Sequence, residues 1–143
     1  VSTNEARVTE IVAQHAGREG PLLPILHDVQ HALGCVDAEA EAVIAKALNL
    51  SRADVHGVVS FYHDFHPEAD PRPEVQICRA ESCKARGVEN LIPAANAAAG
   101  DRVKISTVYC LGLCSAGPNA RVGSQLHARL DAASLTALIE NAR

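Results

Sequence analysis

Four of the five cysteines in this chain fall into two close pairs. Cys78 and Cys83 are spaced C-x4-C in "ICRAESC", and Cys110 and Cys114 are spaced C-x3-C in "YCLGLCSAGP". Zinc takes four thiolates in a tetrahedron and tolerates such short spacings. A 2Fe–2S cluster also takes four thiolates, two on each iron. It is longer than one ion and suits two separate loops that each give a pair. Gly112, between the second pair, leaves the backbone free to turn N–H groups toward sulfur. Hydrogen bonds of that kind tune the potential of a cluster. The spacings match neither the plant-type nor the bacterial ferredoxin run. Spacing alone leaves zinc, iron–sulfur and buried structural thiols open. A disulfide framework is not expected, because the cysteine number is odd and the chain reads as intracellular.

The remaining reactive side chains are less organised. Cys35 ends a helical stretch in the other half and is expected to fill apolar space. His63 and His66 lie in "FYHDFHPEADPRP" with no cysteine near them in sequence, and are expected to be linker or surface histidines. The Phe61–Phe65 segment suits either an interface patch or an interdomain plug. There is no phosphate-cradling G-x-G-x-x-G or G-x-x-x-x-G-K-[ST], no G-x-S-x-G and no H-E-x-x-H. A cluster moves one electron at a time and needs a donor and an acceptor. The chain thus reads as a subunit or carrier, with no catalytic residues of its own.

The elements that must position the cysteines come in two styles. The first half reads as helices: Ser2 and Glu5 suggest a capping box ahead of Val8, Ile11 and Val12. Leu22, Ile25, Leu26, Val29 and Leu33 form a second stripe, closed by Gly34. Asp37 caps a third helix, with Val43, Ile44, Ala47 and Leu48 turned inward. Ser51 caps a fourth, with Val55, Val58 and Val59. The proline-rich aromatic stretch marks a boundary. Beyond it, Val75 and Ile77 run into Cys78 with strand alternation. A helix is expected over 87–99, with Pro93 weakening its middle. Val103, Ile105, Thr107 and Tyr109 alternate as a second strand, and Gly123-Ser124 turns a hairpin. Asp131 caps a last helix carrying Leu135, Leu138 and Ile139. The expected fold is α+β: a helical bundle over 1–66, a linker over 67–72, and a thioredoxin-like domain over 73–143. Each cysteine pair then follows a strand, and neighbouring strands would bring the pairs together.

Bulk properties narrow the partners. In 143 residues, 48% are hydrophobic, which permits a buried core and excludes disorder. The net charge of −4 argues against nucleic acid and anionic membrane surfaces. No apolar run approaches the ~20 residues of a membrane helix. "VSTNEARVTE" shows no leader pattern, so a cytoplasmic protein without direct membrane insertion is expected.

C-x4-C followed by C-x3-C behind a helical domain resembles the thioredoxin-like 2Fe–2S ferredoxin family. Within it, the chain is similar to the small flavoprotein-module subunit of respiratory complex I and its relatives in NAD-linked hydrogenases and formate dehydrogenases. "LLPILHDVQHALG", "VHGVVSFYHDF", "ICRAESC" and "VYCLGLCSAGP" carry the resemblance. "HGVVSFYHDF" and "CRAESC" look most like the gamma subunit of molybdenum-containing, NAD-dependent formate dehydrogenases. Complex I relatives tend to read C-x-G-T-A-C at the first pair. Gly117 departs from the alanine frequent before the proline at 118. The resemblance implies Cys78, Cys83, Cys110 and Cys114 as ligands of one 2Fe–2S cluster. It implies docking to an iron–sulfur subunit that binds FMN and NAD, and a molybdenum-cofactor subunit that oxidises formate in the same complex. The equivalent subunit of complex I or of an NAD-reducing hydrogenase is the alternative.

Two rivals come from other classes. "IAKALNLSRADVHGVVSF" resembles a helix-turn-helix, which would suit a redox-sensing regulator. Its second helix offers Arg52 but also Asp54, and DNA requires phosphate neutralisation. A zinc-stapled interaction module is the other, and it predicts a colourless protein.

Overall fold

The computed structural model describes residues 2–143. They form two compact units, one ending at Asp70 and the other beginning at Pro71.

The first unit is helical: α1 (Thr3–Gln14), α2 (Leu22–Leu33), α3 (Ala38–Leu48) and α4 (Arg52–Phe61). Their starts follow the capping residues. The Ser2 hydroxyl accepts from the Glu5 N–H at 3.0 Å and itself donates to Glu39 at 2.7 Å. Asp37 accepts from the Ala40 N–H at 2.8 Å. Ser51 and Asp54 form a reciprocal capping box. Gly34 ends α2 at φ +76, a conformation glycine adopts without Cβ strain. Ile25, Leu26, Val29, Ile44 and Val55 are fully buried. Each contributes roughly 1.5–3 kcal/mol against exposure.

The inward face of α3 differs from the expected one. Ala40, Glu41, Ile44 and Ala45 are buried, Val43 and Leu48 only partly, and Ala47 is exposed. α1 packs on α3, and the small alanines let the two backbones approach closely. The buried Glu41 carboxylate takes a bond from His56 Nδ1 at 3.0 Å. The aromatic segment divides: Phe65 is buried in the helical core, while Phe61 is 74% exposed at the end of α4.

The second unit is a sheet with helices. The strand order is β2-β1-β3-β4, from β1 (Glu74–Cys78), β2 (Lys104–Val108), β3 (Ala120–Val122) and β4 (Gln125–His127). β1 and β2 are parallel, and both other ladders are antiparallel. Gly123, at φ +57, turns the hairpin between β3 and β4. A short helix unforeseen in the sequence, α5 (Glu81–Ala85), follows β1 and carries Cys83. α6 (Ile92–Ala99) and α7 (Ala132–Glu140) pack on each other. Val75, Ile77, Val88, Ala95, Val103, Leu135 and Ile139 form the core of this unit.

Residues 87–99 are not one helix. Val88–Leu91 makes a 3-10 turn and α6 starts at Ile92. Pro93 therefore sits in the first turn, where its missing N–H has no intrahelical partner to lose.

Candidate metal centre

β1 ends on Cys78, whose side chain is buried between sheet and helices. Its N–H donates to the Asn119 carbonyl at 3.0 Å, and the next N–H, of Arg79, donates to Val108 at 2.9 Å. The chain then turns into α5, which buries Cys83. After β2 the chain reaches Cys110 at φ +101, a strained backbone for a residue with a Cβ. Gly112 follows at φ +77, and its N–H reaches back to Cys110 Sγ at 3.4 Å. Cys114 opens a 3-10 turn over Cys114–Ala116. Its Sγ stands 3.6 Å from Cys110 Sγ. The Ser82 hydroxyl donates to the Cys114 carbonyl at 2.8 Å, tying α5 to the second cysteine loop.

The sulfurs interact within and between pairs. Burial pushes the Cys78 thiol up. The N–H of Ala80, the Cys83 side chain and the N–H groups of Cys110 and Leu111 outweigh it, and the net direction is down. Cys83 is pushed up by burial first and then by sharing a hydrogen bond with Cys78, against a backbone N–H from Asn119. Cys114 is pushed up by its hydrogen bond with Cys110 and by the nearby charges of Cys110 and Cys78. The first pair is buried and the second is exposed.

Other sequence candidates lie elsewhere. Cys35 is half-buried in the helical unit, its thiol raised by burial and by the Asp37 charge. His66 donates its N–H to Gln30 Oε1 at 3.0 Å, within the helical unit. Two site residues escaped sequence reasoning. Ser82 and Asn119 belong to no spacing pattern, and only the folded backbone brings them to the cysteines.

The family model described as thioredoxin-like [2Fe-2S] ferredoxin matches residues 8–143. The chain belongs to this family. As a thioredoxin-like ferredoxin it carries a 2Fe–2S cluster. It is 31% identical over 150 residues to an NADH-quinone oxidoreductase subunit of Rhizobium meliloti (strain 1021), covering 99% of this chain and 89% of that relative. It is 25% identical over 129 residues to NADP-reducing hydrogenase subunit HndA of Solidesulfovibrio fructosivorans, covering 84% and 75%. The crystal structure of an NAD+-reducing [NiFe]-hydrogenase in the H2-reduced state superposes with TM-score 0.69 at 28% identity, over 84% of this ferredoxin. The ferredoxin spans 22% of that hydrogenase chain.

The residues of the second unit fit such a cluster. The thiols stand as two pairs, Cys78 with Cys83 buried and Cys110 with Cys114 at 3.6 Å between sulfurs, which meets the demand of two irons with two thiolates each. Gly117 leaves room beside the buried pair: a Cβ there would lie 3.1 Å from Cys83 Sγ. No helix among the described residues is long and apolar enough to cross a membrane.

Proposed function

We propose that Cys78, Cys83, Cys110 and Cys114 ligate the 2Fe–2S cluster, and that the chain is an electron-transfer subunit of a cytoplasmic NAD-dependent formate dehydrogenase. The observation that carries the ligand set is the delivery of two thiol pairs from adjacent parallel strands, with Ser82, beside Cys83, donating to the Cys114 carbonyl. When bound, the cluster supplies a one-electron carrier. The protein holds it through two buried and two exposed thiolates. It also aims the Gly112 N–H at the Cys110 sulfur, which favours the added electron.

The rest of the reading concerns partners. Relatives named as subunits of NADH-quinone oxidoreductase and NADP-reducing hydrogenase support an NAD(P)-linked complex. In this reading the chain docks to an iron–sulfur subunit that binds FMN and NAD. "HGVVSFYHDF" and "CRAESC" support formate as the electron source, oxidised on a molybdenum-cofactor subunit. Formate gives up two electrons, which leave as hydride on NAD+, and CO2 and NADH result. The helical residues 1–66 and the cluster residues 73–143 serve as two modules joined by 67–72.

The second reading, the equivalent subunit of complex I or of an NAD-reducing hydrogenase, is favoured by the relatives' names. Native co-purification separates the readings. A molybdenum-bearing partner supports formate dehydrogenase. A nickel–iron partner supports hydrogenase, and membrane subunits support complex I.

A further inference from the structure

Asn119 and Glu41 are the buried polar side chains among the described residues, and Asn119 lies at the cysteines. A buried amide is costly unless each of its groups is used. Here they are. The Asn119 carbonyl takes the Cys78 N–H at 3.0 Å. Its side-chain Nδ2 donates to the Leu113 carbonyl at 3.0 Å, one residue before Cys114. Its Oδ1 stands 3.6 Å from Cys83 Sγ. The orientation of the amide is fixed by chemistry. The Leu113 carbonyl can only accept, so the NH2 must face it, and the oxygen is left for the sulfur.

We propose that Asn119 is a positioning residue for the cluster, pinning the buried cysteine pair to the loop of the exposed pair and presenting the negative end of its amide to Cys83. The proposal rests on the four-cysteine ligand set above. In the metal-free protein the Cys83 S–H donates to Oδ1. Once that sulfur is a thiolate it has no proton to give, and the oxygen faces an anion. The amide cannot turn over without setting Oδ1 against the Leu113 carbonyl. The side chain therefore opposes an added electron at the buried pair.

Two substitutions in the cluster-loaded full chain test this, with the reduction potential followed by electron paramagnetic resonance. Asn119→Leu keeps the bulk and removes the dipole and the Leu113 bond. Its potential shifts upward, and iron is lost to a chelator several-fold faster than from the wild type. Asn119→Asp places a carboxylate there, and its potential shifts downward. A residue that merely fills space would not give shifts of opposite sign. Wild-type potentials in both variants, or shifts of one sign, overturn the proposal. If Asn119→Leu fails to fold, Asn119→Asp decides alone: a lowered potential supports the proposal and an unchanged or raised one overturns it. Cys83→Ser and Cys114→Ser are measured beside them. Native spectra in both cysteine variants overturn the ligand set, and this proposal with it. Altered spectra there, with wild-type potentials in the Asn119 variants, overturn this proposal alone.

Discussion

Cys78 stands opposite Val108 in the parallel β1–β2 ladder. Cys110 is two residues beyond Val108, so both strands release a cysteine at the same edge of the sheet. Antiparallel strands would have ended at opposite edges. The parallel pairing, closed by the crossover through α5 and α6, is what lets two pairs distant in sequence share one site.

The conformation of Cys110 is a place where this site holds strain, at φ +101. Cys110→Gly would relieve that backbone and remove the thiol. Fold stability is therefore expected to be kept or raised slightly by thermal melting of the metal-free chain, while cluster assembly is lost. A stable variant that still assembles a native cluster would contradict the role given to Cys110.

Gly117 sets the space beside Cys83. An added Cβ lies 3.1 Å from both Cys83 Sγ and Arg86 Cδ. The arginine chain can swing aside, whereas the sulfur is held. Gly117→Ala is expected to keep the cluster at a cost of about 1 kcal/mol, and Gly117→Val to lose it, since overpacking grows with each added carbon. Denaturant titration and the visible spectrum report the two outcomes.

The helical unit has its own core, and Ile25 is fully buried in it. Ile25→Ala is expected to destabilise that unit by about 3 kcal/mol. Loss of the Asp37 cap, in Asp37→Ala, costs about 1 kcal/mol. Both variants are expected to leave the cluster spectrum unchanged, which chemical denaturation and visible absorption together can check.

Asp54 and Asp131 are both held below the ordinary carboxylate range, Asp54 by hydrogen bonds from Ser51 and Asp131 by hydrogen bonds from Ser134. A depressed folded value means the stabilisation is present above the unfolded value and is lost as pH falls through the folded one. Acid is therefore expected to weaken α4 and α7 below about pH 4. Replacing both by asparagine should flatten that part of the melting curve against pH, followed by circular dichroism.

Much of this was legible in sequence because its signals are local. Asp37, Ser51 and Asp131 cap helices where their side chains can reach the third N–H beyond. Gly123-Ser124 turns a hairpin because glycine accepts positive φ. Stripes such as Ile25, Leu26 and Val29 face inward as their period requires. What escaped depends on tertiary partners. α5 has five residues, too few for a period, and its buried residue is Cys83 itself. The turn of α3 toward Ala40 and Ala45 follows from the neighbour α1. Pro93 reads as a weak point in the middle of a helix over 87–99 because the 3-10 turn ahead of it, which moves it to the first turn of α6, has no sequence signal of its own. At the site, the spacing anticipated the approach of Cys110 and Cys114, and Gly112 turning its N–H on sulfur. Asn119 could not be found that way, since its bonds go to residues brought near only by the sheet.

Ligation by the two cysteine pairs is best tested by assembling the cluster anaerobically in the wild type, Cys114→Ser and Cys35→Ser, then recording visible absorption and the spin signal after reduction. The expected outcome is a brown wild type with iron and sulfide in equal amounts, a lost or altered spectrum in Cys114→Ser, and a wild-type spectrum in Cys35→Ser. A native spectrum in Cys114→Ser, or a wild type that binds iron without sulfide, would refute it.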